Sequence, residues 1–224
     1  MQLRHLAGLA LGLALCLTAG SAASRFPDPA QDVKAGSTTG QQTAVLAGGC
    51  FWGVEAVFER LEGISDVVSG FAGGKKSTAH YETVSTGTTG HAESVKITYD
   101  PSKISYGQLL KIFFAVAHNP TELNRQGPDE GPQYRSSIFY STPDEKAVAE
   151  AYIHQLDDAK IFKHKIVTTV VPLDGFYPAE AYHQDFLDRN PTYPYIVYND
   201  LPKLVQLKKD FPEMMKPDAL KKKY

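Results

Sequence analysis

Between Thr43 and Val171, short apolar runs alternate with helical stripes, and the order of these runs limits the fold more than any other feature. Thr43 to Ala47 is a short apolar run suited to a buried strand. Gly48-Gly49 permits a tight turn, after which Phe51, Val54, Val57, Phe58 and Leu61 fall on one helical stripe. Ile64 to Phe71 reads as a second strand ended by Gly73-Gly74, and Glu93 to Tyr99 alternates as a third, closed by Asp100-Pro101. Ser105 is placed to cap a helix through Leu109, Leu110, Phe113, Phe114 and Val116. A long loop follows from His118 to Arg135. Ser137 to Tyr140 is then a strand, Thr142-Pro143 opens a helix through Val148, Ala151, Tyr152 and Leu156, and Ile166 to Val171 is a further strand. The order β-α-β-β-α-β, followed by another helix and strand, predicts an α+β fold. Specifically, it matches the split βαβ of a ferredoxin-like two-layer sandwich. Beyond Asn190, the five prolines from Pro191 to Pro217 predict an extended C-terminal coil over the surface.

Residues 1–23 stand apart from this pattern. Arg4 and His5 precede an apolar run from Leu6 to Ala19, and Ser21-Ala22-Ala23 resembles a cleavage site. Spanning a bilayer takes about 20 apolar residues, so the shorter run reads as a signal peptide; an uncleaved anchor is the rival. Export to the periplasm or the outside is expected, with no stable membrane association after cleavage. Residues 24–42, rich in Gly, Ser and Thr, read as a flexible lead-in. A folded domain is then expected over 43–199 and a tail over 200–224, whose lysines are most simply solvated.

Composition narrows the function classes. Hydrophobic residues make up 42% of the chain, enough to build a core and exclude a disordered protein. A net charge of −2 supplies no electrostatic footprint for nucleic acid. The two cysteines cannot form a disulfide framework, and loss of the leader removes Cys16, leaving Cys50 alone. In an oxidising compartment a lone thiol is either buried and inert or kept for chemistry.

Cys50 lies in Gly48-Gly49-Cys50-Phe51-Trp52-Gly53-Val54-Glu55, at the junction of a strand and a helix. Free N–H groups and the helix dipole favour negative charge there, so a lowered thiol pKa is expected. Phe51 and Trp52 can wall the sulfur with apolar surface. On this junction alone, a packed inert cysteine is the stronger reading. Three polar clusters shift the balance: Gly87-Thr88-Thr89-Gly90-His91-Ala92-Glu93, the loop from Asn119 to Ser136, and Phe176 to Gln184. Long structureless loops inside compact domains are commonly functional.

The four stretches GCFWG-x-E, GTTGHAE, LNRQG-x-D-x-G-x-QYRS and AE-x-YHQ-x-F-L occur in one order between about Thr43 and Asn199. In them the chain resembles peptide methionine sulfoxide reductase A. The resemblance implies thiol-dependent reduction of free or peptide-bound methionine (S)-S-oxide, without a cofactor or metal. It implies that Cys50 attacks the sulfoxide sulfur and becomes a sulfenic acid. Glu93 would donate a proton, and Tyr81 and Tyr134 would hydrogen-bond the sulfoxide oxygen. Phe51 and Trp52 would hold the methyl group, and Asp129 and His183 would help to bind substrate. The implied partners are oxidised proteins and a thioredoxin-like or glutaredoxin-like thiol donor acting on a monomer.

Each assignment has a plain rival. Asp129 suits a turn before Gly131, and His183 suits a helix-surface pair with Glu180. Arg135 and Glu55 read as structural. Two departures from the family stand out: Ser77-Thr78-Ala79-His80 precedes Tyr81 in place of the usual Asn-Pro-Thr, and the C-terminal segment has no resolving cysteine. The second puts the recycling route in question. The rival functions are a cysteine-nucleophile hydrolase or acyl transferase using His91, His118 or His183 as base, a metal-binding module, and a non-enzymatic peptide-binding domain. Scattered histidines and a single cysteine argue against a structural zinc site.

Overall fold

The computed structural model describes residues 26–33 and 40–224. The leader expected over residues 1–23 lies outside them. Two strand–helix units interleave. Strand β1 (Gln42–Gly48) leads to helix α1 (Phe51–Glu59) and strand β2 (Ile64–Ala72). The one-turn helix α2 (Tyr81–Val84) precedes strand β3 (Ala92–Tyr99), which leads to helix α3 (Tyr106–Ile112). The following loop forms a small hairpin, β4 (Arg125–Gln126) with β5 (Asp129–Glu130), before strand β6 (Ser136–Tyr140). Helix α4 (Pro143–Asp158) then leads to β7 (Thr169–Pro172) and β8 (Phe176–Pro178). The chain ends through α5 (Phe186–Arg189), α6 (Leu201–Asp210) and α7 (Pro217–Lys221).

The six-stranded sheet has the order β7-β6-β1-β3-β2-β8. All neighbours pair antiparallel except β6 and β7, which are parallel. Strand β3 lies between β1 and β2, and β1 lies between β3 and β6. Buried side chains fill both faces. Ala44 and Leu46 join the large core under α1, α3 and α4, while Val45 and Ala47 join a smaller cluster with Ala72, Ala92 and Phe139. Burial on both faces explains why β1 reads as a continuous apolar run.

Local signals behave as their chemistry requires. Ser105 caps α3: its Oγ accepts from the Gln108 N–H at 3.2 Å, and Gln108 Oε1 accepts from the Ser105 N–H at 2.9 Å. Thr142 caps α4, accepting from the Glu145 N–H at 3.2 Å.

Two expectations are corrected. Residues 26–33, expected within a flexible lead-in, lie on the core. Phe26 is buried and meets Phe162 edge-on at 5.7 Å, Tyr152 donates its hydroxyl to the Pro27 carbonyl at 2.9 Å, and Gly107 N–H donates to Asp32 at 2.8 Å. The expected C-terminal coil is helical instead. Pro202 and Pro217 sit in the first turns of α6 and α7, where no N–H bond is lost, so they start helices rather than break them. Leu204, Leu207, Phe211, Met215 and Ala219 are all buried. The segment is also tied to the end of α1, with Glu62 N–H on the Met214 carbonyl and Lys216 N–H on the Arg60 carbonyl, both at 2.8 Å.

Burial of this kind sets a measurable cost. Leu207→Ala should lower the unfolding free energy by about 2–5 kcal/mol in urea melts, as for other buried leucines. A loss below about 0.5 kcal/mol, usual for surface sites, would mean α6 is not part of the cooperative core.

Candidate active site

Strand β1 is followed by Gly49, whose φ of +90° only glycine adopts readily. A methyl group there would also collide with the Gln126 side chain. The chain turns at this point and delivers Cys50, a residue only 8% exposed, to the N-cap of α1. Cys50 forms part of the wall of a cavity of about 190 Å³, together with Phe51, Trp52, Tyr81, Glu93, Asp129, Tyr134, Tyr193 and Tyr195.

Each wall group arrives by a separate route. Glu93, on β3, is 2% exposed and accepts a hydrogen bond from the Phe51 N–H at 3.1 Å. Tyr81 opens α2, where its own N–H is anchored on Glu180 at 3.1 Å. Asp129 comes from the β4–β5 hairpin and accepts the Tyr195 hydroxyl. Tyr134 comes from the turn before β6, which Arg135 braces by donating to the carbonyls of Gly90, His91 and Pro132.

The electrostatics are those of a dry site. Burial raises the Glu93 carboxyl from its usual 4.5 to about 8 against the opposing pull of the Phe51 N–H, so it is protonated at neutral pH. Burial likewise raises the Tyr81 and Tyr134 hydroxyls, helped by Glu93, and both stay neutral donors. The lowered thiol pKa expected from the helix N-terminus is overturned. Burial, then the charge that Glu93 takes on above about pH 8 and that of Asp200, push Cys50 well above 9.0, and the Trp52 N–H and Lys203 only partly offset them. The resting group is a thiol.

The residues match the family model described as peptide methionine sulfoxide reductase over residues 42–215. The chain belongs to the peptide methionine sulfoxide reductase family. It is 62% identical over 175 residues to peptide methionine sulfoxide reductase MsrA 2 of Mesorhizobium japonicum, covering 78% of this chain and 90% of that one. The MsrA 2 protein of Synechocystis is 54% identical over 196 residues, covering 87% and 92%. Among solved structures, reduced Mxr1 from Saccharomyces cerevisiae superposes with a TM-score of 0.61 at 34% identity, over 68% of this chain and 87% of that one. Methionine sulfoxide reductase A of Corynebacterium diphtheriae gives 0.60 at 33%, over 70% and 78%. As a member of this family the protein is an enzyme, reducing methionine sulfoxide at the expense of thiols.

Of the residues expected from sequence, Cys50, Phe51, Trp52, Tyr81, Glu93, Asp129 and Tyr134 meet at this reductase cavity. His183 does not line it. His183 lies behind the wall, where its Nδ1 accepts from the Trp52 indole N–H at 3.1 Å and its ring packs 4.2 Å from that of Tyr81. Trp52 is gripped on its other side by Phe186, stacked at 3.8 Å. Glu55 is buried under α1, outside the lining. His91 and His118 are also absent from it. His91 bonds the Lys75 carbonyl, and His118, neutral because burial lowers it to about 3, bonds the Phe113 carbonyl and Ser136. A hydrolase relying on any of these three histidines as base has none at the sulfur. Tyr193 and Tyr195 are additional wall residues; in sequence they lie in the proline-rich stretch from Pro191 that predicts only coil over the surface. Among the described residues, no group of three or more His, Cys, Asp or Glu could hold a metal ion.

The Glu93 shift has a signed consequence. Between pH 4.5 and about 8, the folded protein holds a proton on Glu93 that the unfolded chain releases. The stability tied to this group is complete below pH 4.5 and lost as the pH rises through about 8. Glu93→Gln removes the titration, so its unfolding free energy relative to wild type should increase from about pH 5 to about pH 8. Urea melts at the two pH values read the difference directly. A constant difference would mean that Glu93 titrates normally.

Proposed function

We propose that the reductase acts on methionine (S)-S-oxide, free or peptide-bound, by direct attack of the Cys50 sulfur on the sulfoxide sulfur. The observation that carries this reading is a buried carboxyl protonated up to about pH 8, in one small cavity with the thiol and two tyrosine hydroxyls. Sulfoxide sulfur becomes electrophilic once its oxygen is hydrogen-bonded or protonated. Tyr81 and Tyr134 donate to that oxygen, a preorganised cage for the charge that develops. Glu93 delivers its proton there and takes back the proton of the Cys50 thiol. The oxygen passes to Cys50 as hydroxyl, the S–O bond of the substrate breaks, and the thioether leaves. Substrate sulfur gains two electrons and the cysteine sulfur loses two, becoming a sulfenic acid. Phe51 and Trp52 enclose the methyl group and set the epimer. Asp129, fixed by Tyr195, orients the polar side of the substrate.

Recycling follows from the count of thiols. Cys50 is the free cysteine among the described residues, and removal of residues 1–23 takes Cys16 away. An external thiol then condenses with the sulfenic acid, releasing water and leaving a mixed disulfide, which a second thiol opens. A thioredoxin-like or glutaredoxin-like protein is the donor, no prosthetic group takes part, and the enzyme works as an exported monomer in the periplasm or outside the cell. The fold is the ferredoxin-like split βαβ sandwich, a reading supported by the antiparallel order β6-β1-β3-β2.

Separate sulfoxide epimers assayed with dithiothreitol test the reading. Cys50→Ser should abolish turnover, and Glu93→Gln should lower it by about 10²-fold or more. With thiol withheld, intact mass after one substrate addition should show one added oxygen on Cys50. Appreciable thiol-dependent turnover by a folded Cys50→Ser protein overturns the mechanism.

A further inference from the structure

Against the first turn of α1, outside the cavity lining, lies a charged pair that the proposed chemistry does not use. Asp200 precedes α6 and is completely buried. Its Oδ1 accepts from Lys203 Nζ at 3.0 Å, and its Oδ2 is buried with no hydrogen-bond partner. The pair presses on Gly53, where a methyl group would collide with both Asp200 Oδ1 and Lys203 Nζ. Gly53 is the third residue of α1, in the turn that Cys50 caps. The first two N–H groups of this helix each meet an acid, Phe51 meeting Glu93 and Trp52 the Cys50 sulfur, while Asp200 and Lys203 lie against the Cα of Gly53.

We propose that the buried Asp200–Lys203 pair is a positioning element of the reaction, setting the charge that the first turn of α1 presents to the Cys50 sulfur. The proposal rests on Cys50 as nucleophile. Eight titratable groups lie around the thiol: Tyr81, Glu93, Asp129, Tyr134, Tyr193, Tyr195, Asp200 and Lys203. Glu93 is protonated at neutral pH, and burial keeps Tyr81, Tyr134 and Tyr195 neutral. Asp129 is a carboxylate held by the Tyr195 hydroxyl, and it is not among the groups that shift the thiol. Asp200, raised by burial and drawn back by Lys203, and Lys203 itself act on the sulfur in opposite senses. Burying such a pair costs desolvation that apolar side chains of equal volume avoid, so its contribution is electrostatic rather than packing. Asp200 holds Cys50 as a thiol while the cavity is empty, and Lys203 limits how far that bias goes.

The test reads the thiol without substrate. Alkylation of Cys50 by iodoacetamide at pH 7, where Glu93 keeps its proton, is followed by mass spectrometry of its peptide in the full chain, with circular dichroism as the check on folding. Asp200→Asn keeps an oxygen for Lys203 but removes the negative charge, and should speed alkylation about tenfold or more, the effect of one charge close to a titrating group. Adding Lys203→Met removes the ammonium without stranding a buried carboxylate, and should cancel that gain. A loosened site would speed both variants equally, because exposure is indifferent to charge. An Asp200→Asn rate no faster than wild type, or a double variant as fast as the single, overturns the proposal. Neither result touches the Cys50→Ser or sulfenic-acid tests.

Discussion

Everything at this site depends on the N-terminus of α1 being buried from two directions. The sheet covers one side of the helix, and α6 covers the other, so the helix is enclosed almost all round. That enclosure withdraws water from Cys50, Glu93 and Asp200 together. A helix end with free N–H groups is ordinarily a place for an anion, and the two acids that titrate nearest it are nonetheless neutral. Desolvation outweighs the dipole because burial penalises the full charge of a thiolate, while the dipole supplies only about half a charge spread over several N–H groups.

Local sequence signals proved sufficient for most of the sheet and its helices. β1, β2 and β3 extend the expected runs by a residue or two, and the caps at Ser105 and Thr142 form as their side chains allow. Period and punctuation are local properties, so a single chain displays them. The C-terminal segment departs from the expected coil because proline breaks a helix only in its interior, whereas Pro202 and Pro217 sit where a helix begins. The stripe of Leu204, Leu207 and Phe211 was present but masked by the lysines between.

The site was legible to the extent that its residues lie within short motifs. Cys50, Glu93, Asp129 and Tyr134 each sit in a stretch dense with glycine and polar residues, which is visible in one dimension. Tyr195 and Asp200 do not, and their place beside the cavity is created only when α6 folds back on α1. The direction of the Cys50 shift was invisible for the same reason. A helix start can be read from sequence, but the depth of its burial depends on segments far along the chain. His183 illustrates the converse, a motif residue whose side chain faces an indole rather than the cavity.

The ties between the end of α1 and residues 214–216 bear on how the molecule reaches its native state. Helix α1 forms early in the chain, yet its outer face stays wet until the last helices arrive to cover it. Contacts so distant in sequence delay folding, because the intervening loop must be closed before they contribute. During synthesis the first sheet strands and α1 emerge without their cover, and the domain cannot close until residues 204–219 have left the ribosome. An incomplete chain would therefore carry an accessible, hydrated thiol, and burial of the nucleophile becomes a property of the finished molecule alone.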